Sequence, residues 1–251
     1  MSNRFDNKAV LILGGNSGIG LAAAKLFADE GARVMITGRN QETLAQAQNS
    51  INGSVAMTAD IADIEATDAV MLRASECLGE LDVLFINAGV GGFAPIDAVT
   101  PEFWDEIHSV NLKGCFFALQ KALPLMKDGA AVVLTGSIGS VVAVPGNAAY
   151  AAAKAGLRAM ARIAAKELLP RQIRVNVVSP GPTDTPLLNR NPGMTDADVE
   201  ALRAHMQTVV PLGRMGTADE QARSVLFLAS DEASFITGID MMVDGGCVEL
   251  A

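Results

Sequence analysis

A hydroxyl, a phenol and an amine occur close together between Ser137 and Lys154. Tyr150 and Lys154 are four residues apart, which places both side chains on one face of a helix. Ser137 lies upstream of a Pro/Gly-containing bend that can fold its hydroxyl back beside the phenol. A nearby cation favours the phenolate that remains after a phenol has given up its proton. The stretch predicts a proton-donating site, although a Tyr and a Lys at this spacing also occur by chance.

A glycine pattern near the amino terminus suits phosphate binding. The apolar run Ala9–Leu13 is typical of a strand covered on both faces, and Gly14, Gly18 and Gly20 follow it. Without side chains, these positions let backbone N–H groups and the start of the next helix approach a pyrophosphate. The alternative is a tight turn that needs glycine for packing. The position after a strand and before a helix favours dinucleotide binding.

The residues after the second strand favour NADP over NAD. NAD-binding units often place an acid here for the ribose 2′-hydroxyl, whereas this chain has Thr37, Gly38 and Arg39. No carboxylate repels a 2′-phosphate, and a guanidinium is present to bind it. A simply solvated Arg39 is the alternative.

The elements that must position these groups follow a regular alternation. Short β-type runs are separated, in most cases, by helix-compatible segments, which predicts an α/β fold. We expect a Rossmann-like, doubly wound, seven-stranded parallel sheet with helices on both faces, in a single domain over residues 1–251. The predicted strands are Ala9–Leu13, Arg33–Thr37, Val55–Thr58, Val83–Ile86, Ala131–Thr135, Ile173–Val178 and Met241–Val243.

The segment 182–211 interrupts this rhythm. It is rich in Pro, Asn, Asp and Met and includes a helix-compatible stretch, Asp196–Gln207. Insertions of this length are often lids, and this one follows the sixth strand, at the sheet edge where α/β folds bind ligands. We expect a substrate lid; a surface excursion that protects a subunit contact is the alternative.

Composition narrows the class of protein. The net charge is −9 and no run of Lys or Arg stands out, so we expect no nucleic-acid partner. The three cysteines are widely spaced and accompanied by only His108 and His205, which predicts neither a disulfide framework nor a metal site. We expect no signal peptide and no membrane segment, and a reducing cytoplasm fits best. The cysteines are Cys77, Cys115 and Cys247.

Together these motifs resemble the short-chain dehydrogenases/reductases along nearly the whole chain. Two positions depart from the family pattern: Leu13 stands where Thr is usual, and Gly136 where a Ser commonly precedes the catalytic Ser. The matching positions are the glycine loop, Asp60, Asn87-Ala88-Gly89, Asn111, Ser137, Tyr150, Lys154, Pro180-Gly181 and Val243-Asp244-Gly245-Gly246.

The resemblance implies a catalytic set. Tyr150 would be the proton donor, Ser137 a hydrogen-bond donor to the substrate oxygen, and Lys154 a partner of both the phenol and the nicotinamide ribose. Asn111 would hold a water that relays protons from solvent. It also implies a homotetramer, with one interface formed by the helices around Trp104–Leu123 and Tyr150–Leu168.

The resemblance further implies which residues bind NADP. Asp60 would contact the adenine, Asn87–Gly89 would support the sheet beside the cofactor, and Pro180–Thr183 would border the nicotinamide. The full cofactor set is Gly14, Asn16, Ser17, Gly18, Ile19, Gly20, Arg39, Asp60, Ile61, Asn87, Ala88, Gly89, Tyr150, Lys154, Pro180, Gly181, Thr183 and Thr185.

The leading hypothesis is an NADPH-dependent carbonyl reductase or secondary alcohol dehydrogenase acting on a small molecule. Two alternatives lie within the family: a sugar dehydrogenase and a 3-oxoacyl-carrier-protein reductase. A third alternative, of another class, is a non-catalytic NADP-binding regulatory protein. An acidic carrier needs a basic surface, for which the chain offers few residues: Arg158, Arg162, Arg171, Arg190 and Arg203.

The segments expected to line the substrate pocket are apolar, which favours hydrophobic ketones over sugars. They are Gly91–Phe93, Val141–Pro145 and the start of the lid near Pro186, with Leu187, Leu188 and Met194.

Overall fold

The computed structural model describes residues 3–188 and 195–250. Met194 and Arg190, named above, lie outside the described residues. The strands, in chain order, are β1 (Ala9–Leu13), β2 (Arg33–Gly38), β3 (Val55–Thr58), β4 (Leu81–Ile86), β5 (Met126–Thr135), β6 (Arg174–Pro180), β7 (Thr183–Asp184), β8 (Gly216–Thr217) and β9 (Asp240–Val243).

The helices alternate with these strands. One long helical stretch is continuous through a π-helical turn, Ser109–Gly114, between α4 and α5. The helices are α1 (Gly18–Asp29), α2 (Gln41–Asn49), α3 (Ile64–Leu78), α4 (Pro101–His108), α5 (Cys115–Ala122), α6 (Ala148–Glu167), α7 (Asp196–Val209) and α8 (Ala218–Ala229).

Seven strands form one parallel sheet in the order β3-β2-β1-β4-β5-β6-β9. The chain moves outward from β1 to β3 and then returns to place β4 beside β1, so the winding direction changes between these two strands. Open α/β sheets bind ligands at this switch point, beyond the carboxyl ends of the strands. The predicted doubly wound parallel sheet is therefore confirmed, and the loops after β1 and β4 lie next to each other.

Alternating strand residues contribute to two separate cores. Leu11 and Leu13 of β1 pack on one face with α3, α5 and α6, whereas Val10 and Ile12 pack on the other with α1, α2 and α8. The side chains of β1 are almost fully buried on both faces, which is why its sequence is a continuous apolar run.

The strand boundaries differ most from prediction at β5, which begins at Met126 rather than Ala131. Leu81 pairs with Met126, and the register then shifts before Val83 pairs with Ala131. The shift lets the polar stretch Lys127-Asp128-Gly129 belong to the strand, although its composition reads as a loop. The other predicted strands agree to within two residues, but the short β7–β8 pair was not predicted.

In the interrupting segment, α7 begins at Asp196 as predicted and continues to Val209. Its start is stabilised by a capping box in which Thr195 and Asp198 exchange hydrogen bonds. None of the helices in the described residues is long and apolar enough to cross a membrane.

Candidate active site

The glycine loop forms a cradle bounded by backbone. Gly14 has φ +84°, and a Cβ there would stand 2.7 Å from the Cα of Ala88. Gly18, the first residue of α1, has φ +53°. Side chains are excluded at both positions by conformation, and at Gly14 also by space, so the loop presents backbone to the cleft.

A hydroxyl from β2 lies beside the loop. Leu13, where the family usually has Thr, is 3% exposed and belongs to the core. Gly14 N–H and Gly15 N–H donate to the Thr37 carbonyl at 3.1 and 2.9 Å, and Gly14 N–H also lies 3.4 Å from the Thr37 hydroxyl oxygen. Thr37 thus provides the polar anchor that Leu13 cannot.

Asn87 joins three strand ends at the switch point. Its Nδ2 donates to the Gly14 carbonyl at 2.9 Å, and its Oδ1 accepts from the Thr135 hydroxyl at 2.9 Å. Gly20 allows this approach, because a Cβ there would lie 2.0 Å from the Gly14 carbonyl oxygen. Asn87 and Gly20 therefore hold the loop after β1 in place.

At the far end of the cleft, Arg39 faces Asp60. Their Nη1 and Oδ2 atoms are 3.6 Å apart, and both side chains are solvent-accessible. Asn16 Nδ2 donates to the Thr43 hydroxyl at 2.8 Å, which fixes a polar wall opposite. Gly38 permits that wall to close, because a Cβ there would meet Asn16 Cγ at 2.5 Å.

Lys154 is buried beside Tyr150, on the same face of α6. The lysine is 3% exposed, and its Nζ donates to the Thr135 carbonyl at 2.8 Å. The Nζ also lies 5.7 Å from the centre of the Tyr150 ring. An ammonium has three donors, so two remain available after the bond to Thr135.

Ser137 turns back toward Tyr150 through a short 3₁₀ turn, Ile138–Ser140. The Ser137 Oγ accepts from Gly139 N–H at 3.0 Å. The position that a Gly139 Cβ would take lies 3.3 Å from Ser137 Oγ and 3.7 Å from Tyr150 Cε1. Ser137 and Tyr150 are thus brought together around a residue without a side chain.

Gly136 replaces the usual serine for a steric reason. A Cβ at Gly136 would lie 2.4 Å from the Ser179 Oγ and 2.6 Å from Val177 Cγ1. Ser179, on neighbouring β6, is fully buried and occupies this space. The substitution therefore leaves the Ser137 position undisturbed.

Asn111 lies in the π turn and is fully buried. Its Nδ2 donates to the carbonyls of Val90 and Ile107 at 2.9 and 3.0 Å, and its Oδ1 lies 3.3 Å from Val90 N–H. A Cβ at Gly89 would meet Asn111 Oδ1 at 2.9 Å and Lys154 Nζ at 3.7 Å. Asn111 thus ties the loop after β4 to the helix, next to Lys154.

One cleft of about 650 Å³ joins the glycine loop, Arg39, Asn111, Tyr150 and Lys154. Fifteen of the predicted site residues line it: Gly14, Asn16, Ser17, Gly18, Ile19, Arg39, Asp60, Ile61, Asn87, Ala88, Gly89, Asn111, Tyr150, Lys154 and Thr185. Ser137, Gly20, Pro180, Gly181 and Thr183 do not line it. Thr183 is buried and accepts from Gln221 Nε2 at 3.1 Å, whereas Thr185 lies against Gly18.

Other reactive groups lie apart from the cleft. The half-buried His108 ring stacks on Trp104 with centroids 4.1 Å apart, and His205 is exposed on α7. Burial raises the pKa of the Cys115 thiol to about 11, so it is no nucleophile. The described residues contain no cluster of metal-ligating side chains.

Sequence reasoning missed three polar residues of the site. Thr135 binds both Lys154 and Asn87 from the end of β5, and Thr43 faces the cleft beside Asn16. Asn147 lies next to Ser137 and Tyr150. The sequence feature that could have indicated Thr135 was its position at the carboxyl end of a central strand. Thr43 and Asn147 can be recognised as site residues only from the fold.

A switch-point cleft with a glycine loop at one end and a Tyr–Lys pair at the other defines a dinucleotide-dependent oxidoreductase. Comparison with known proteins agrees. Residues 14–248 match a family model described as enoyl-(acyl carrier protein) reductase. The 3-oxoacyl-[acyl-carrier-protein] reductase FabG of Thermotoga maritima is 37% identical, covering 98% of this chain and 99% of that protein.

Two further relatives act on other compounds, by their names. The 2,5-dichloro-2,5-cyclohexadiene-1,4-diol dehydrogenase LinX of Sphingobium indicum is 34% identical, covering 98% of each chain. The crystal structure of levodione reductase superposes with a TM-score of 0.89 at 33% identity, covering 96% of this chain and 98% of that one. The chain belongs to the short-chain dehydrogenase/reductase family. It is an oxidoreductase of the kind that uses a nicotinamide cofactor and acts on CH–OH or keto groups.

Proposed function

We propose that the protein is an NADPH-dependent reductase of small ketones that also oxidises the corresponding secondary alcohols. The observation that carries this proposal is the buried Lys154, held by the Thr135 carbonyl at 2.8 Å with its Nζ 5.7 Å from the Tyr150 ring centre. A buried ammonium in a cleft wall, one helical turn from the only tyrosine, suits proton transfer better than a structural ion pair.

The cleft fits a dinucleotide. Gly14 and Gly18 leave a cradle at the start of α1, where N–H groups and the helix dipole favour a pyrophosphate. A volume of about 650 Å³ lies in the range of small-molecule sites. Arg39 and Asp60 would hold the adenosine end, and Lys154 the nicotinamide ribose. When bound, the cofactor supplies a hydride to the carbonyl carbon, or accepts one from the alcohol.

The chain's own residues manage charge on the substrate oxygen. Ser137 Oγ already accepts from Gly139 N–H, so its hydrogen is available to a carbonyl oxygen. As the C=O bond becomes C–O, Tyr150 gives its phenolic proton to that oxygen and the product leaves as an alcohol. Lys154 stabilises the resulting phenolate, which regains its proton from solvent.

We assign Asn111 mainly to positioning. Both of its N–H donors and one lone pair of Oδ1 are used by Val90 and Ile107. This bonding supports the loop beside Lys154. A relay water has the second Oδ1 lone pair available to it.

NADP preference rests on Arg39, the cation at the far end of the cleft. Besides Lys154, it is the only Lys or Arg among the described residues that line the cleft. Asp60 accepts from Ala62 N–H at 2.9 Å, and the 3.6 Å Arg39–Asp60 contact is open to solvent, so a 2′-phosphate can compete for the guanidinium.

The test of this preference compares kcat/KM for NADPH and NADH. The wild type should favour NADPH at least tenfold, and Arg39→Asp should reduce or reverse the ratio. Arg73→Asp is the matched control, since Arg73 is a similarly exposed arginine paired with Glu76 outside the cleft. Equal use of both cofactors, or an unchanged ratio in Arg39→Asp, contradicts the proposal.

The carrier-protein alternative is less well supported by the surface charges. Arg158 pairs with Asp240, Arg171 with Asp128, and Arg203 with Asp184, which leaves Arg162 among the described candidates. Leu187 lines the cleft and is exposed, as are Phe93 and Val141 in the segments expected to line the substrate pocket, and these apolar side chains favour an apolar ketone over a sugar. Reduction of acetoacetyl carrier protein at a higher kcat/KM than any small ketone would favour the alternative.

Catalysis itself is separable from cofactor binding. Oxidation of NADPH with a mixed ketone panel distinguishes an enzyme from a regulatory NADP-binding protein. If the protein binds NADPH but turns over no ketone or alcohol, the regulatory alternative holds.

We also propose a homotetramer in the cytoplasm and a lid at 182–211. The large side chains Trp104, Phe116 and Ile163 are 41%, 44% and 60% exposed on α4, α5 and α6, which suits a subunit contact. The free cysteines suit a reducing compartment. Thr185, Pro186 and Leu187 line the cleft, which supports a covering role for this segment. Light scattering that gives a monomer would contradict the tetramer.

A further inference from the structure

Asn147 occupies the N-cap of α6 but does not cap the helix. An Asn at this position ordinarily accepts a hydrogen bond from the backbone two or three residues later. Asn40, at the N-cap of α2, does so, accepting from Thr43 N–H at 2.9 Å. Asn147 makes no side-chain cap hydrogen bond. Its amide is directed elsewhere.

The amide lies within the catalytic cluster. Asn147 Nδ2 is 2.9 Å from the position that a Gly139 Cβ would take, the same point that lies 3.3 Å from Ser137 Oγ and 3.7 Å from Tyr150 Cε1. Gly139 thus leaves room for the amide as well as for the hydroxyl and the phenol.

The amide is also without a partner. Asn147 is 8% exposed, and no hydrogen bond joins its side chain to any other described residue. Neither amide atom of Asn147 is among the fully buried polar atoms that lack a partner, so the amide remains accessible to a ligand. An accessible amide without a protein partner, beside Ser137 and Tyr150, points to a ligand group that binds it.

We propose that Asn147 binds a second oxygen of the substrate, and hence that the preferred substrates are ketones carrying another keto or hydroxyl group. This inference rests on the proposed function. A carbonyl oxygen has two lone pairs, which Ser137 and Tyr150 use during reduction, so the amide serves a different oxygen. It can donate to a keto group or accept from a hydroxyl. The neighbouring Val141 and Val144, 44% and 42% exposed, suit an apolar carbon skeleton.

The test measures NADPH-dependent reduction of cyclohexanone, cyclohexane-1,2-dione and cyclohexane-1,4-dione by wild type and Asn147 variants. Each dione's kcat/KM is divided by that of cyclohexanone, and variants are compared with wild type so that intrinsic reactivity cancels. Asn147→Ala should lower this ratio about tenfold for at least one dione, mainly through KM. Asn147→Asp, which loses the donor, should lower it as well.

Asn147→Ser separates substrate binding from a role in the helix start, because serine is as good an N-cap as asparagine. If Asn147 only supports α6, Asn147→Ala should lower thermal stability and should change kcat/KM equally for all three substrates. Asn147→Ser should then restore thermal stability and kcat/KM to the wild-type values. That outcome, or an unchanged ratio, overturns the inference while leaving ketone reduction intact. Absence of reduction by wild type with any ketone overturns the proposed function and this inference with it.

Discussion

The ammonium of Lys154 lies 5.7 Å from the centre of the Tyr150 ring, one helical turn away. The Thr135 carbonyl fixes it there through a 2.8 Å hydrogen bond from the end of β5. The helix sets the spacing of the two side chains, and the sheet sets the orientation of the ammonium. The proton transfer that we propose for Tyr150 would therefore depend on contacts from two elements.

We expect Tyr150→Phe to lower kcat by a factor of about 10²–10⁴, because it removes the proposed acid but keeps the ring. NADPH should still bind, since the cradle at Gly14 and Gly18 is untouched. The absorbance of NADPH measures turnover, and the fluorescence of the cofactor measures its binding. Substantial residual reduction of any ketone accepted by wild type would exclude Tyr150 as the acid.

Substituting Gly14 should weaken cofactor binding for a steric reason that does not apply to Gly53. Gly14 and Gly53 have φ of +84° and +67°, but a Cβ at Gly14 would lie 2.7 Å from Ala88 Cα, and one at Gly53 would meet nothing within 4 Å. Gly14→Ala should lose NADPH affinity by more than tenfold. Gly53→Ala should cost only about 1 kcal/mol of stability, from backbone strain.

Calorimetric titration measures the NADPH affinity of the two variants, and urea unfolding measures their stability. If both variants bind the cofactor equally well, the proposed cradle is wrong.

Local sequence predicted the glycine loop, the Tyr–Lys pair and the alternation of strands and helices along the chain, because each depends on short-range spacing. The start of β5 escaped prediction because a register shift admits Lys127, Asp128 and Gly129 into a strand. Strand pairing determines this boundary, whereas the propensities of the three residues do not.

Long-range contacts account for the remaining differences at the site. Thr135 binds Lys154 through its backbone carbonyl, so no residue type could signal the contact. The Asn147 amide approaches Ser137 only because the intervening bend folds back around Gly139. Gly136 looked like a departure from the family, but Ser179 on the adjacent strand fills the space of the missing side chain.

Asp82 should make the sheet sensitive to acid. Burial acts to raise the pKa of its carboxyl, but the hydrogen bond from Ala9 N–H at 2.8 Å and the Lys127 ammonium at 2.9 Å outweigh burial and lower the pKa. A lowered pKa in the folded state means that the carboxylate contributes stability above its ordinary pKa of about 4 and loses it as the pH falls further.

Asp82→Asn should therefore cost about 1–2 kcal/mol near neutral pH, and this deficit should shrink as the pH falls below about 4. Asp68→Asn is the control, because Asp68 forms an exposed pair with Lys121 and should change stability by less than about 1 kcal/mol. Urea unfolding at several pH values measures both. A deficit that grows in acid contradicts the assignment.

The Arg158–Asp240 pair should respond unequally to removal of its two partners. The Nε and Oδ2 atoms are 3.0 Å apart, with the arginine side chain 41% exposed and the aspartate only 5%. Burial raises the pKa of Asp240, and both the Ser179 hydroxyl and Arg158 oppose this rise. In Asp240→Asn the guanidinium can turn to water, whereas in Arg158→Ala the carboxylate stays buried without its cation.

We expect Arg158→Ala to cost about 3 kcal/mol above neutral pH, and Asp240→Asn less than about 1 kcal/mol. With its pKa raised further, Asp240 binds a proton in folded Arg158→Ala at a higher pH than in the unfolded chain. The cost should therefore fall as the pH is lowered toward the ordinary carboxyl pKa of about 4, and the double variant should recover most of it at neutral pH. Urea unfolding of the three variants between pH 5 and pH 8 provides the measurement. Equal costs for the two single variants, or a cost of Arg158→Ala that is independent of pH, would show that the buried carboxylate does not depend on its arginine.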